Sequence, residues 1–383
     1  MQYRKFGSLD WEVSALGFGA MRFPVLEDDP ARIDEEKAMA MIRHAIDSGV
    51  NYVDTAYGYH QEQSEPFVRK VLKDGYREKV KLATKMPSWL VKEAADFDRL
   101  LEEQMSRLDV SRLDFYLLHA LSAKSWKNYQ DLDVFTWAEK RMAEGLFDHL
   151  CFSFHDEYPV FESIVNGYDN WTMAQIQYNY VDEDYQAGRK GMKLAADRGL
   201  AVVVMEPLRG GRIAKNPPPD GVAEVWGKSQ RDWTPAAWAL HWVWDQPQVA
   251  TALSGMSTME QVEENLVLAD QSAIGKLSPG EQSLYHEVCE VYNSLMPIPC
   301  TQCEYCLPCP SDVAIPRIFE TYNDGEAYDA WDRSRLVYRE FFKPENRADR
   351  CVECGECEEA CPQNIKIIEW LARAHERLVE PAR

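Results

Sequence analysis

The chain has 383 residues, a hydrophobic content of 45% and a formal charge of −21. This length suffices for one large domain and one small domain, and the composition is that of a globular protein. The excess of carboxylates argues against nucleic acids and anionic membranes as partners, because both need a basic surface. No run approaches the ~20 apolar residues that span a bilayer, and residues 1–7 lack the apolar stretch of a signal peptide. We therefore expect a cytoplasmic protein.

Residues 1–295 alternate short apolar segments of strand character with segments of helical periodicity. A hairpin is expected at residues 2–13, where it would close the bottom of a barrel. The alternation over about 250 residues then predicts an α/β fold, a (β/α)8 TIM barrel. The predicted strands are 14–18, 51–54, 80–84, 114–118, 149–153, 173–177, 200–205 and 249–253. The predicted helices are 35–47, 64–72, 92–108, 132–142, 186–197, 235–244 and 259–268.

The segment after the seventh predicted strand departs from this alternation. Its glycines and prolines, at 210–211 and 216–221, predict a long loop at the end of the barrel where loops carry function. The sequence Met-Pro-Ile-Pro at 296–299 then marks a boundary, so we expect domains at 1–295 and 296–383. Helical patterns in the second domain lie at 315–322, 331–342 and 365–379, and the last of these is expected to pack on the barrel.

Eight of the ten cysteines form two runs in this second region. Each run has three cysteines spaced C-x2-C-x2-C and a fourth followed by proline, which is the ligand pattern of bacterial iron–sulfur clusters. The fourth cysteine of such a run ligates the other cluster in two-cluster proteins. We therefore predict two [4Fe–4S] clusters, one held by Cys300, Cys303, Cys306 and Cys361, and the other by Cys351, Cys354, Cys357 and Cys309.

Zinc and disulfide bonds are the alternatives for these cysteines. Structural zinc sites use two separated C-x2-C pairs for each ion, whereas each run here holds three close thiols and a fourth. Disulfides need an oxidising compartment, of which the sequence gives no sign. Clusters therefore rank ahead of zinc, and zinc ahead of disulfides. The helical spacer between the runs resembles α-helical ferredoxin domains, so a small, mainly α-helical ferredoxin-like domain is expected.

Four polar residues lie at or just after the ends of predicted barrel strands, namely Asp54, Tyr59, Lys85 and His119. Each alone has a commoner explanation, such as a helix cap, core packing or a solvated charge. Together, and with the segments 54–59, 83–85 and 113–119 around them, they resemble the aldo-keto reductases over residues 1–270. Segments 17–19 and 264–265 match as well. With the cysteine domain attached, the chain resembles the iron–sulfur subgroup of that family.

The resemblance implies a catalytic tetrad that reduces a carbonyl with hydride from NAD(P)H. Tyr59 is expected as the general acid, and Lys85 as the cation that lowers the pKa of its phenol. Asp54 is expected to hold Lys85 in its charged form, and His119 to donate a hydrogen bond to the substrate oxygen.

The resemblance also implies a cofactor site. The nicotinamide carboxamide would meet Ser153 and Gln175, and Met205 would replace the usual aromatic residue against the ring. The other expected contacts are Gly19, Met21, Pro207, Leu208, Gly210, Gly255, Ser257, Gln261 and Asn265.

This expected cofactor site departs from the family pattern at several positions. Phe154 stands where the family has an asparagine, so one amide contact is either missing or supplied by His155. Gly255 and Gln261 stand where some members grip the 2′-phosphate of NADPH with cations, so NADH and NADPH both stay open. Arg209 and Arg212 in the long loop could supply the missing cations, but they are interpreted first as solvated surface arginines. A flavin is a further candidate cofactor, without a motif in its favour.

Three functions remain open at this point. The leading one is an oxidoreductase that couples hydride exchange with a small-molecule substrate to electron transfer through both clusters, with a redox protein as a candidate partner. The second is a conventional carbonyl reductase with structural clusters, and the third is a non-catalytic redox sensor or regulatory subunit. The complete tetrad disfavours the third.

Overall fold

The apolar strand segments pair into one closed barrel of eight parallel strands, which confirms the predicted fold class. Parallel strands need both faces covered, which is why these segments are almost uniformly apolar. The hairpin β1 (Tyr3–Lys5) and β2 (Glu12–Ser14) precedes the barrel. The barrel strands are β3 (Leu16–Gly19), β4 (Tyr52–Asp54), β5 (Lys81–Met86), β6 (Leu113–Leu121), β7 (Phe147–Phe154), β8 (Met173–Gln177), β9 (Ala201–Met205) and β10 (Val249–Ser254).

The computed structural model describes residues 1–27 and 29–380. The α-helices of these residues are α1 (Glu35–Asp47), α2 (Ser64–Val71), α3 (Ala95–Leu108), α4 (Ala123–Asp131), α5 (Val134–Ala143), α6 (Tyr158–Asn166), α7 (Gly188–Asp197), α8 (Asp220–Trp226), α9 (Pro235–Asp245), α10 (Met259–Asp270), α11 (Pro279–Leu295), α12 (Ile315–Ala327), α13 (Trp331–Phe341), α14 (Glu356–Ala360) and α15 (Ile367–Val379). Among the helices described, none combines the length and apolar character that crossing a bilayer requires.

Five of the described helices lay outside the predicted segments, namely α4, α6, α8, α11 and α14. Two of them, α6 and α11, share one feature. Each carries a proline in its first turn, at Pro159 and Pro279. A proline is tolerated there because the first amides of a helix have no intrahelical partner, yet in a sequence it marks a break. Helix α11 also has a capping box, in which Ser278 and Glu281 each accept a hydrogen bond from the other's backbone amide.

The hairpin is confirmed, and it packs into the N-terminal end of the barrel. Phe6 is fully buried in a cluster with residues from the starts of several barrel strands, among them Tyr52 and Phe115. Gly7 has a φ of +56°, and a Cβ there would lie 2.5 Å from the backbone nitrogen of Ala201. The turn of the hairpin therefore needs glycine both for its conformation and for this close approach.

The chain divides into two units. The first is Met1–Pro207 with Ala237–Lys276, and the second is Leu208–Ala236 with Leu277–Arg383. The long loop predicted after the seventh barrel strand therefore begins the second unit. The predicted domain boundary at 295/296 remains a prediction about which parts fold independently.

The second unit has its own apolar core, built by α12, α13 and α15 together with the cysteine loops. Ile318 and Phe319 of α12 are fully buried there, and Leu371 and Ala374 of α15 pack in the same cluster. The expectation that the last helix packs its apolar face on the barrel is thus wrong, because that face lies in the core of the second unit.

We predict that Phe6→Ala lowers the free energy of unfolding of the barrel by about 3–5 kcal/mol, because it leaves a cavity in a filled core. Urea unfolding followed by far-UV circular dichroism would show a lower midpoint. Val267→Ala on α10 is the control, since Val267 is 58% exposed and its loss should stay within about 0.5 kcal/mol. Equal midpoints for the two variants would contradict the packing role of Phe6.

Candidate active site and cluster-binding region

The four tetrad candidates lie together at the C-terminal end of the barrel strands, where barrel active sites form. Asp54 ends β4, Lys85 lies near the end of β5, and His119 lies near the end of β6. These strands are neighbours, with Asp54 opposite Ala83. Tyr59 comes from the loop that follows β4. The fold therefore brings all four predicted side chains into one region of the barrel.

Lys85 is the centre of this group. Its Nζ donates to Asp54 Oδ1 at 2.5 Å, to the carbonyl oxygen of Thr55 at 2.8 Å and to Tyr59 Oη at 3.3 Å. The Lys85 and Asp54 side chains are 1% and 2% exposed. One ammonium therefore uses its three protons on a carboxylate, a carbonyl and the phenol, and this fixes the distance between Asp54 and Tyr59.

Burial is the largest influence on the ionisation of this pair. It lowers the pKa of Lys85 and raises the pKa of Asp54, while the attraction between the two charges opposes both shifts. The charge of Glu65 also favours protonated Lys85. A buried ion pair of this kind persists only when further hydrogen bonds satisfy it, as Thr55 and Tyr59 do here.

His119 is neutral in this setting. Burial, then the positive charge of Lys85, hold the pKa of His119 well below its usual range. Its ring meets the Tyr59 ring edge-on, with the centroids 6.1 Å apart, and Trp89 lies against it at 5.3 Å. A neutral imidazole carries one N–H donor, so His119 can donate a hydrogen bond beside the Tyr59 hydroxyl.

A buried polar network behind Lys85 was missed at the sequence level. Glu65 is fully buried and accepts hydrogen bonds from Thr84 Oγ1 and Gln104 Nε2, both at 2.6 Å. Gln104 also donates to the carbonyl oxygen of Lys85 at 3.0 Å. Burial raises the pKa of Glu65 to about 7, against the effect of its hydrogen bonds. The one available signal was that Glu65 shares a helix face with the apolar residues of α2.

The residues expected at the nicotinamide occupy the ends of the next three strands. Ser153 and Gln175 face each other in the β7–β8 ladder, and both are buried. Ser153 Oγ accepts from the Ala120 amide at 2.8 Å. Met205 ends β9 and Pro207 follows it. His155, which succeeds Phe154, has its Nδ1 3.3 Å from Gln186 Oε1.

The residues expected at the phosphates lie after β3 and β10. Gly19 ends β3 and Met21 follows it, while Gly255 and Ser257 follow β10. Asn265 on α10 donates to Ser254 Oγ at 3.1 Å. Gln261 Oε1 accepts from the Ser257 amide at 2.8 Å, so this loop is tied to the first turn of α10.

Arg22 is a cation at this end of the site that the sequence reasoning missed. A Cβ on Gly255 would lie 3.0–3.1 Å from the Arg22 side chain. Its Nη2 lies 3.5 Å from Glu206 Oε1, and its carbonyl accepts from Ser257 Oγ at 2.8 Å. Arg22 therefore occupies space that a side chain at position 255 would need.

Two of the expected cofactor contacts, Leu208 and Gly210, belong to the second unit. Gly210 has a φ of +65°, and a Cβ there would lie 2.3 Å from the carbonyl oxygen of Thr301. The glycine thus permits the backbone of this loop to lie against the first cysteine run. Its expected role at the cofactor stays a prediction.

Arg209 and Arg212 are buried, at 6% and 3% exposed, so their interpretation as solvated surface arginines is wrong. Arg212 Nε donates to the carbonyl oxygen of Cys300 at 2.8 Å. Composition and spacing gave no sign of this burial, because it depends on the loop packing against a segment 88 residues away.

The second cysteine run forms a cavity with the fourth cysteine of the first. The cavity has a volume of about 150 Å³, and Cys309, Cys351, Cys354 and Cys357 all line it, beside Cys306 and apolar side chains such as Ile315. Burial raises the pKa of Cys357 to about 11, with contributions from the other three thiols. The structure thus brings Cys309 to the three thiols with which the sequence grouped it.

The other predicted set converges around Cys306. Burial raises the pKa of the Cys306 thiol, and Cys303, Cys300 and Cys361 add to that shift. Within the described residues, no three His, Cys, Asp or Glu side chains converge as ligands of a single ion. One group of four thiols lines a cavity, and the other has four thiols close enough to act on the same ionisation. Both groups fit four-iron clusters, whose cysteine ligands bind different iron atoms.

A model of the Aldo/keto reductase family matches residues 15–274, and a model of the 4Fe-4S dicluster domain matches residues 299–365. A probable aldo-keto reductase 1 from Glycine max is 25% identical over 295 residues, which cover 68% of this chain and 82% of that protein. The holo form of aldo-keto reductase AKR11C1 from Bacillus halodurans has a TM-score of 0.62 at 25% identity, over 75% of this chain and 96% of that one. The structure of an aldo-keto reductase from Klebsiella pneumoniae in complex with NADPH has a TM-score of 0.59 at 22% identity, over 75% of this chain and 94% of that one.

We predict that Asp54→Asn lowers the free energy of unfolding by about 3–5 kcal/mol, because it leaves the buried Lys85 ammonium without its carboxylate. Urea unfolding of the barrel at neutral pH measures this loss. Glu35→Gln is the matched control, since the Glu35–Lys70 pair is half exposed and such pairs contribute about 0–1 kcal/mol. A loss for Asp54→Asn no larger than the control's would refute the dependence of Lys85 on Asp54.

The crossed ligand sets predict the outcome of a cysteine series. A chain with Cys351, Cys354 and Cys357 all replaced by serine should keep one cluster, about four iron atoms per chain. Adding Cys361→Ser should remove or degrade that cluster, whereas adding Cys309→Ser should leave it intact. Iron and sulfide analysis with low-temperature EPR measures both. The reverse pattern would show that each run supplies its own fourth ligand.

Proposed function

This chain belongs to the Aldo/keto reductase family, and on that premise we propose that it is an NAD(P)H-linked oxidoreductase whose barrel site is coupled to two [4Fe–4S] clusters. Hydride would pass to or from a carbonyl or alcohol of small-molecule size. The contact of Lys85 Nζ with both Asp54 and Tyr59 Oη is the observation that carries the proposal. It is the arrangement that a proton transfer to a carbonyl oxygen requires.

Tyr59 is proposed as the group that delivers or removes the proton. A phenol with an ordinary pKa near 10 is a poor acid–base group at neutral pH. The Lys85 ammonium, 3.3 Å from Tyr59 Oη, favours the phenolate and so brings the phenol closer to the working pH. Asp54 keeps that ammonium charged despite complete burial.

His119 is proposed as the donor that orients the substrate oxygen. Its burial and the neighbouring Lys85 charge keep its ring neutral, so it can donate one N–H without competing for the proton of Tyr59. A donor placed before reaction stabilises the charge that develops on the carbonyl oxygen. Trp89, which is half exposed beside His119, is a side chain that a substrate would meet.

Bound nicotinamide would supply or accept the hydride. Ser153 and Gln175 are proposed to hold its carboxamide, since both are buried polar side chains on adjacent strand ends. Gln261 and Asn265 are proposed at the phosphate end, near the start of α10, where backbone amides favour anions. Gly255 and Gln261 were expected to leave this region without the two cations that some family members have there. Arg22, which lies beside Gly255, supplies one cation.

The cluster sites supply the second part of the proposal. The two groups of four thiols would hold clusters that each carry one electron. One hydride carries two electrons, so oxidation of one nicotinamide with release of one proton balances one-electron reduction of both clusters. A carbonyl reductase needs no such carriers, which is why we favour electron transfer, with a redox protein as the acceptor or donor, over a purely structural role.

We predict that Tyr59→Phe lowers kcat for NAD(P)H-dependent carbonyl reduction by at least about 100-fold, because it removes the proton donor. KM for the nicotinamide should change little, since the ring is retained. Steady-state assays of a panel of aldehydes and ketones measure this. Tyr57→Phe is the control, because Tyr57 Oη contacts Glu103 at 3.1 Å rather than Lys85. Undiminished turnover in Tyr59→Phe would rule out the assignment.

The coupling itself is tested by adding NADH or NADPH anaerobically to cluster-loaded protein. Bleaching of the visible cluster absorbance supports electron transfer. Brisk carbonyl turnover without bleaching would favour structural clusters. Neither bleaching nor turnover would favour the sensor or regulatory function.

A further inference from the structure

Arg212 is a buried cation in the second unit that the proposed chemistry does not use. It is 3% exposed and lies in the short turn Arg212–Ala214. Its Nε donates to the carbonyl oxygen of Cys300 at 2.8 Å. Its Nη2 is buried, with no hydrogen-bond partner among the described residues. One edge of the guanidinium is therefore committed to the first cysteine run, and another nitrogen still needs an acceptor.

Such an arrangement is unfavourable unless an anion completes it. A guanidinium stays charged in proteins, and a buried charge without a partner costs several kcal/mol. Arg335 in the same unit shows the usual solution, since it is similarly buried and contacts Glu380 at 2.8 Å and Asp332 at 3.3 Å. No carboxylate of the described residues pairs with Arg212, so its counter-charge must come from something that binds.

The backbone holds this side chain where it is. Gly210, two residues earlier, lies so close to Thr301 that a Cβ would meet the Thr301 carbonyl oxygen at 2.3 Å. Lys215, three residues later, donates to Asp324 at 2.5 Å. The turn is thus anchored on both sides of Arg212, next to the backbone of Cys300.

We propose that Arg212 is the counter-charge of the cluster held by Cys300, Cys303, Cys306 and Cys361, and that it raises the reduction potential of that cluster. A cubane with four thiolates is anionic, and it gains one further negative charge when it takes up one electron. A fixed cation stabilises the reduced form more than the oxidised form. The proposal rests on the cluster site of the proposed function, but not on its nicotinamide chemistry.

The other cluster site lacks this feature. None of the residues that line its cavity is Lys or Arg, and Glu356 is among them. The two sites therefore differ in electrostatics although their cysteine patterns are alike, and the cluster beside Arg212 should be the one reduced first.

The test is an anaerobic redox titration of the full cluster-loaded chain with dithionite and mediators, followed by EPR. In R212Q the first wave should move to more negative potential, by at least tenfold in the reduced-to-oxidised ratio at fixed potential, which is 59 mV for one electron. The second wave should move much less. Cys361→Ser identifies which wave belongs to the first site.

Two further variants distinguish the loss of the Arg212 charge from a structural effect of the substitution. Lys228→Gln is the control, because it removes a cation of the same unit that already pairs with Glu287 and takes no part in the turn around Arg212, and it should leave both waves in place. R212K keeps the charge and should retain most of the native potential. If R212Q does not keep its first cluster, the potential of R212K tests the proposal instead. A shift of the first wave in R212K as large as that expected for R212Q would overturn the proposal.

An unshifted first wave in an R212Q chain with native iron content would also overturn it. Because dithionite and mediators replace nicotinamide in this experiment, failure of NAD(P)H to bleach the clusters would count against the proposed function alone.

Discussion

The buried ion pair between Lys85 and Asp54 is the interaction on which the barrel site depends. Neither partner is stable alone at complete burial, because each would then favour its neutral form. The pair holds both charges, and the third proton of the ammonium reaches Tyr59 Oη. The network of Glu65, Thr84 and Gln104 lies directly behind and fixes the backbone of Lys85. The ion pair between Lys85 and Asp54 therefore fixes the position of the Tyr59 phenol, because neither buried charge is stable without the other.

Much of this site was predictable because, in a parallel barrel, the place of a residue along its strand determines at which end of the barrel it lies. A residue at the end of a strand must lie at the same rim as the residues that end neighbouring strands, so the order of the strands alone groups Asp54, Lys85 and His119. The cysteine sets were predictable for a different reason. Ligand spacing is local, and the proline after Cys309 and Cys361 favours a crossed fourth ligand, which stays a prediction.

Glu65, Arg22 and Arg212 could not be predicted in the same way. Each is an ordinary charged residue in sequence, and its importance comes from what a distant segment places beside it. Glu65 meets Gln104 from another helix, Arg22 meets Glu206 from the segment after β9, and Arg212 meets Cys300. Periodicity also misassigned the packing of α15, since an amphipathic helix specifies that a face is buried but not against which surface.

Lys85 and Arg212 show two ways in which this chain carries a buried cation. Lys85 has its carboxylate built in, so its environment is complete before any ligand binds, and its proposed function is to perturb a neighbouring phenol. Arg212 has a carbonyl on one side and no carboxylate, so its environment is completed only by an anion that arrives. The first arrangement suits a site that must be ready for a transient substrate, and the second suits a resident anionic group. On the proposals above, the same electrostatic cost of a buried cation serves catalysis in one unit and retention of a cluster in the other.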